Sequence, residues 1–176
     1  MCKILAAASF LALAFFSGNA VAEPPQLQTS APVIFLADNL DEQDKLGWCI
    51  DTQGRGFSER LHAHSCKPQG GDVQFLYDAG SSQIKSATFS GKCATLDVAP
   101  KAGIKFGLLN CKTDAANQKF TFNSSSGEFH PASDNNLCLV VGSSSRSAGP
   151  FMSRNLELAS CASTAPKFKK WVYRTK

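Results

Sequence analysis

Apolar residues in this chain come in short runs and alternating pairs, separated by clusters of turn-forming residues. Phe75-x-Tyr77, Phe120-x-Phe122 and Trp171-x-Tyr173 each place two aromatics on one face of an extended segment, which predicts strands. Between such segments lie Thr52–Gly56, Pro68–Asp72, Ala79–Ser82, Ser124–Gly127 and Gly142–Ser145, whose Gly, Ser and Asp suit tight turns. Beyond residue 40 no run of helical periodicity exceeds about two turns. Val33-Ile34-Phe35-Leu36 is the predicted opening strand.

The pattern repeats. Cys49, Cys93 and Cys138 stand 44 and 45 residues apart, Cys66, Cys111 and Cys161 stand 45 and 50 apart, and Phe75, Phe120 and Trp171 stand 45 and 51 apart. Short apolar segments around Leu61, Leu108-Leu109 and Leu156-x-Leu158 precede the second cysteine of each set. Landmarks recurring three times in one order mark an internal threefold repeat. Three units of about four strands predict a closed all-β barrel, which leaves no exposed sheet edge. The units run approximately over 33–78, 79–123 and 124–176.

The N-terminus changes the compartment. Lys3, the apolar run Ile4–Phe16 broken only by Ser9, and Ala20-Val21-Ala22 form an export signal cleaved after Ala22. The run is too short to span a bilayer, and no later segment is a candidate membrane span. Cleavage leaves residues 23–176, a single domain, with the Pro-rich stretch 23–32 expected as a flexible leader. The protein is expected to be secreted, to the periplasm, cell surface or medium. Cys2 leaves with the signal, and six cysteines in an exported chain read as disulfides. The two cysteines of each unit flank a turn, giving the pairs Cys49–Cys66, Cys93–Cys111 and Cys138–Cys161. Each closed loop contributes roughly 3 kcal/mol on the chain-entropy view.

Charge excludes more than it suggests. Without Lys3 the chain carries 17 basic and 14 acidic residues, too even for a nucleic-acid partner. Lys167, Lys169, Lys170, Arg174 and Lys176 interleave with Phe168, Trp171 and Tyr173, as on a last strand with its aromatics inward. Asp38, Asp41 and Glu42 are expected to be solvated in a polar connector. His62-x-His64-x-Cys66 aligns three metal-ligand types on one strand face, but oxidation of Cys66 removes the thiolate, so no metal is expected. No catalytic constellation or phosphate-cradling loop is present, so neither enzymatic activity nor a cofactor is expected. Asn123-Ser124-Ser125 is a glycosylation sequon where the host glycosylates.

From Leu46 to Arg174 these landmarks resemble the ricin-B-type β-trefoil lectin family. Cys49-Ile50-Asp51 is similar to its Cys-x-Asp opening, and Asn117-Gln118-Lys119-Phe120 to its closing Asn-Gln-x-Trp with Phe for Trp. Lys169-Lys170-Trp171 keeps the Trp but not the Gln, and Val73-Gln74-Phe75 keeps only the aromatic. The resemblance implies a β-trefoil fold and a shallow sugar site in each unit, where a carboxylate accepts from vicinal hydroxyls and an aromatic packs on the ring face. Carried over to unit one, it places Asp51 as the carboxylate, His64 as the stacking group and Asp72 in the Asn position, with Gln53, Arg55 and Phe57 able to close over a ligand. Unit two keeps Asn117 and Gln118, but Leu109 stands in the stacking position and Asp97 lies four residues after Cys93 instead of two. Unit three, with Val140 and Ala159 in the key positions, is expected to be structural. The implied partner is a glycan or glycoconjugate. The other class open to the fold is a protein–protein module, inhibitor-like or toxin-delivery-like.

Overall fold

A computed structural model describes residues 24–40, 42–68 and 70–176, so the export signal lies outside the described residues. Twelve strands run along the described residues, four to each sequence unit. Unit one holds β1 (Val33–Leu36), β2 (Trp48–Thr52), β3 (Leu61–Ser65) and β4 (Phe75–Asp78). Unit two holds β5 (Gln83–Ser86), β6 (Lys92–Leu96), β7 (Phe106–Asn110) and β8 (Phe120–Asn123). Unit three holds β9 (Glu128–Pro131), β10 (Leu137–Ala148), β11 (Phe151–Ser160) and β12 (Trp171–Arg174). A single 3-10 turn precedes the last strand of each unit, at Gly71–Val73, Ala116–Gln118 and Pro166–Phe168.

The last strand of each unit pairs antiparallel with the first strand of the next: β4 with β5, β8 with β9, and β12 back to β1. That return closes the ring and accounts for the threefold period in the sequence. Within each unit the two middle strands form a hairpin, β2–β3, β6–β7 and β10–β11. This is the expected β-trefoil.

The repeating letters are structural. Phe75, Phe120 and Trp171 are all buried in one core with Ile34, Ile84 and Phe129 from the first strands. The second aromatics meet one another: the Tyr77 ring lies 5.9 Å from Tyr173 and 6.4 Å from Phe122, and Phe122 lies 5.1 Å from Tyr173. These contacts, edge-to-face for Tyr77–Tyr173 and Phe122–Tyr173 and tilted for Tyr77–Phe122, bring together the three strands that end the units. The disulfides are Cys49–Cys66, Cys93–Cys111 and Cys138–Cys161, one in each unit.

Two expectations change. Residues 24–32, read as a leader, lie against the domain. Gln26 and Gln28 donate backbone bonds to the Lys45 and Cys66 carbonyls, Leu27 packs beside the Cys49–Cys66 disulfide, and Gln74 bonds the Ala31 carbonyl. The connector after β1 is not simply solvated. Asp38 is buried and accepts from the Leu40 amide, while Glu42 pairs with the guanidinium of Arg154. Asp41 lies outside the described residues.

Candidate functional site

The register of the first hairpin builds the site. Asp51 on β2 stands opposite His62 on β3, and Cys49 opposite His64, so the carboxylate shares one face with both imidazoles. Its Oδ2 lies 3.8 Å from His62 Nε2 and 3.6 Å from His64 Nδ1. The chain then passes through Cys66 to Lys67, whose ammonium bonds Asp51 Oδ2 at 3.0 Å and Asp72 Oδ2 at 3.1 Å. Asp72 itself sits on the 3-10 turn before β4, where Gly70 takes a positive φ of 92°.

Beside this cluster opens a cleft of about 730 Å³, lined by His62, His64, Lys67, Asp72, Arg55 and Phe151 among others. Phe151 comes from unit three. There β10 and β11 are 12 and 10 residues long, against five for each hairpin strand of the other units. The longer hairpin reaches β3, pairing Ser153 with His64 and Arg154 with Ala63. Its tip, Ala148–Phe151, enters the cleft, and the Phe151 ring lies 5.7 Å from His64 in an edge-to-face arrangement.

Three polar atoms of this cluster, Asp51 Oδ1, Asp72 Oδ1 and His62 Nε2, are buried and make no hydrogen bond within the protein. Such atoms are rare in folded proteins, and here they gather at one cleft. Burial pulls the Lys67 ammonium down, but Asp51 and Asp72 outweigh it, so its pKa stands above the ordinary lysine value and the group is charged. Burial holds the His64 pKa below its ordinary value, with the Ser65 carbonyl and Asp51 offsetting only part.

The residues expected from sequence fare differently. His64 and Asp72 line the cleft. Asp51 is fully buried behind Lys67, so the direct ligand contact implied for it is not available in this arrangement; the carboxylate orients the ammonium and the histidines instead. Among the loop residues, Arg55 lines the cleft while Gln53 is exposed and does not. Phe57 turns away, packing at 5.3 Å against Phe89 of unit two with the Lys92 ammonium over its ring.

In unit two a smaller cleft of about 270 Å³ lies beside Leu109 and Asn117. Thr95 occupies the position of Asp51, and Asp97 pairs at the surface with Arg60. Gln118 is buried and its amide is fully engaged. Its oxygen accepts from the Lys112 amide and from Gln83, and its nitrogen donates to Thr95 Oγ1 and the Asn110 carbonyl. Gln118 therefore clips the unit together and has nothing left for a ligand. Asn117 donates to the Leu96 carbonyl, leaving its side-chain oxygen for other use. Unit three has buried Val140 in the carboxylate position.

His130 Nδ1 lies near the sulfurs of Cys138 and Cys161, but those sulfurs are bonded to each other, which removes the thiolates a metal would need. The same holds for Cys66, bonded to Cys49. No helix among the described residues is long and apolar enough to cross a membrane.

Neither a protein-family model nor a curated protein matches the chain. Solved structures do match. The mdaA-1 domain superposes with a TM-score of 0.60 at 16% identity, over 88% of this chain and 98% of that one. The agglutinin from Abrus precatorius gives 0.57 at 16% identity over 81% of this chain, which spans only 45% of the agglutinin. The Vibrio vulnificus hemolysin/cytolysin β-trefoil lectin, solved with N-acetyl-D-lactosamine bound, gives 0.54 at 15% identity over 84% and 97%. At these identities the likeness establishes the fold alone, and that fold is the β-trefoil.

Proposed function

We propose that this chain is a secreted, non-enzymatic carbohydrate-binding β-trefoil whose main sugar site is the cleft of unit one. One observation carries the reading: the Asp72 carboxylate, the Lys67 ammonium, the imidazoles of His62 and His64 and the Phe151 ring line a single solvent-open cleft. Sugars ask for this combination, with acceptors and donors for the hydroxyls and an apolar face for the ring C–H groups. Units two and three offer no such set. The lectin neighbours, one solved with a disaccharide bound, support the same class. A single open site binds weakly, so strong attachment would come from a multivalent glycan surface.

The test is a glycan array probed with the oxidised 23–176 protein beside Asp72→Asn, both verified as folded by thermal melting. Binding to one glycan class, lost in Asp72→Asn, would support the site. Undiminished binding by the variant would move the site elsewhere.

A second reading, a protein-contact module, draws on Phe57, which is 47% exposed and packs with Phe89 and Lys92 away from the cleft. Folded protein that binds no glycan would favour it.

A further inference from the structure

We propose that the cleft is a composite site built jointly by units one and three, and that it selects a glycan of two or more rings over a single sugar. The inference rests on the lectin reading above and names the ligand class of that site.

The argument begins with the length of the third hairpin. Cys138 and Cys161 are 23 residues apart, whereas the equivalent cysteines are 17 and 18 apart. The extra residues do not thicken the core of unit three. They form a bulge, where the register shifts between Val141 and Ser145, and an exposed extension that carries Ala148–Phe151 across to unit one.

The extension is fastened where it crosses. The Ser65 hydroxyl accepts from the Met152 amide at 3.0 Å and donates to Asp44 Oδ2 at 2.6 Å. Arg154 donates to the Gly142 and Ser143 carbonyls of its own hairpin, pairs with Glu42, and lies 4.6 Å over the Trp48 ring. This buried arginine thus ties the hairpin to two segments of unit one. A wall held this firmly is ordered before any ligand arrives, so binding does not bear the entropy of ordering it.

The cleft lining divides by chemistry. Unit one supplies polar groups, from His62, His64, Lys67, Asp72 and Arg55, while the tip from unit three supplies Ala148, Pro150 and Phe151. One pyranose ring can engage the polar groups alone. A second ring extending toward unit three would meet the apolar tip, with Phe151 as the surface on which it rests. The volumes agree: about 730 Å³ where the long hairpin of unit three reaches, and about 270 Å³ in unit two, where the shorter hairpin of unit one contributes only Glu59 from its connecting loop. The larger value lies within the range of roughly 300–1,000 Å³ typical of small-molecule pockets, and the smaller one lies just below it.

The experiment is calorimetric titration of the oxidised protein with galactose, glucose, mannose and N-acetylglucosamine, and with lactose, N-acetyl-D-lactosamine, cellobiose, mannobiose and chitobiose. For at least one disaccharide, wild type should bind about tenfold more tightly than to either constituent sugar, which is about 1.4 kcal/mol. Phe151→Ala, and Phe151→Leu as a variant that keeps bulk without the ring, should lower disaccharide affinity by more than monosaccharide affinity and so remove that advantage, with melting temperature unchanged. Equal affinity for disaccharide and monosaccharide in wild type would overturn the proposal, as would a disaccharide advantage that survives in Phe151→Ala. Folded wild type that binds no sugar of either kind would instead remove the lectin reading and this inference with it.

Discussion

The ammonium of Lys67 lies 3.0 Å from Oδ2 of Asp51, a carboxylate with no exposed surface. The same ammonium bonds Asp72, so one partly buried cation holds two carboxylates beside the cleft. Lys67→Met keeps most of the side-chain volume but strands both negative charges. Removing one partner of a buried pair typically costs about 3–5 kcal/mol, and that is the expected loss, read from urea denaturation of the oxidised protein. Asp51→Asn combined with Lys67→Met should recover part of it. A midpoint unchanged in Lys67→Met would mean that the cluster adds nothing to stability.

Acid should weaken the fold through His64. Burial keeps its pKa below the ordinary 6.5, so the unfolded chain takes up a proton that the folded site resists. The stability tied to this group is complete above pH 6.5 and is lost as pH falls from there through the lower folded pKa. Melting temperature should therefore fall further between about pH 7.5 and about pH 5 in wild type than in His64→Gln. Parallel falls in the two proteins would assign the acid sensitivity to other groups.

One position in the fold is filled by three chemistries. The first residue of each opening strand faces the residue two before each closing aromatic. In unit one these are Val33 and Val73 in a common apolar cluster, in unit two Gln83 and Gln118 at 3.2 Å, and in unit three Glu128 and Lys169 at 2.8 Å. Gln118→Lys alone breaks the amide network and should cost about 1–3 kcal/mol. Adding Gln83→Glu imports the unit-three solution and should restore a measurable part. A double-mutant cycle reads the coupling, and strict additivity would show that the two positions do not communicate.

How much of this was legible in the sequence depended on distance along the chain. Cysteines and aromatics recur at a near-constant period, so units, strands and disulfides could be read from the letters alone. His64 and Asp72 were found because they keep fixed offsets from Cys66 and Phe75. The burial of Asp51 was not legible. Every residue of β2 is buried, so the period-2 rule cannot say which side meets solvent. Phe151 was missed because its neighbours are remote: Ser65 and Met152, which join its hairpin to unit one, are 87 residues apart. The only sign was the long spacing between Cys138 and Cys161. Lys67 has no local mark in the sequence, since nothing near it along the chain reveals that two carboxylates converge on it.

At the other extreme of pH, Tyr77 should set a limit. Its ring lies 5.1 Å from Phe129 and 5.9 Å from Tyr173, and its hydroxyl donates to the Phe120 carbonyl at 3.0 Å. Burial pushes the phenol above its ordinary 10.0, so in alkali the unfolded chain loses this proton before the folded one does. The linked stability is present below pH 10.0 and is lost as pH rises through the folded pKa. The chain has only two tyrosines, so phenolate absorbance can be followed residue by residue. Tyr77→Phe should delete a late-ionising component and make stability less sensitive to alkali. The loss of one hydrogen bond would cost it about 1 kcal/mol at neutral pH. If the absorbance removed by Tyr77→Phe belongs to a group that ionises at or below pH 10.0, the ring is more open to water than its neighbours imply.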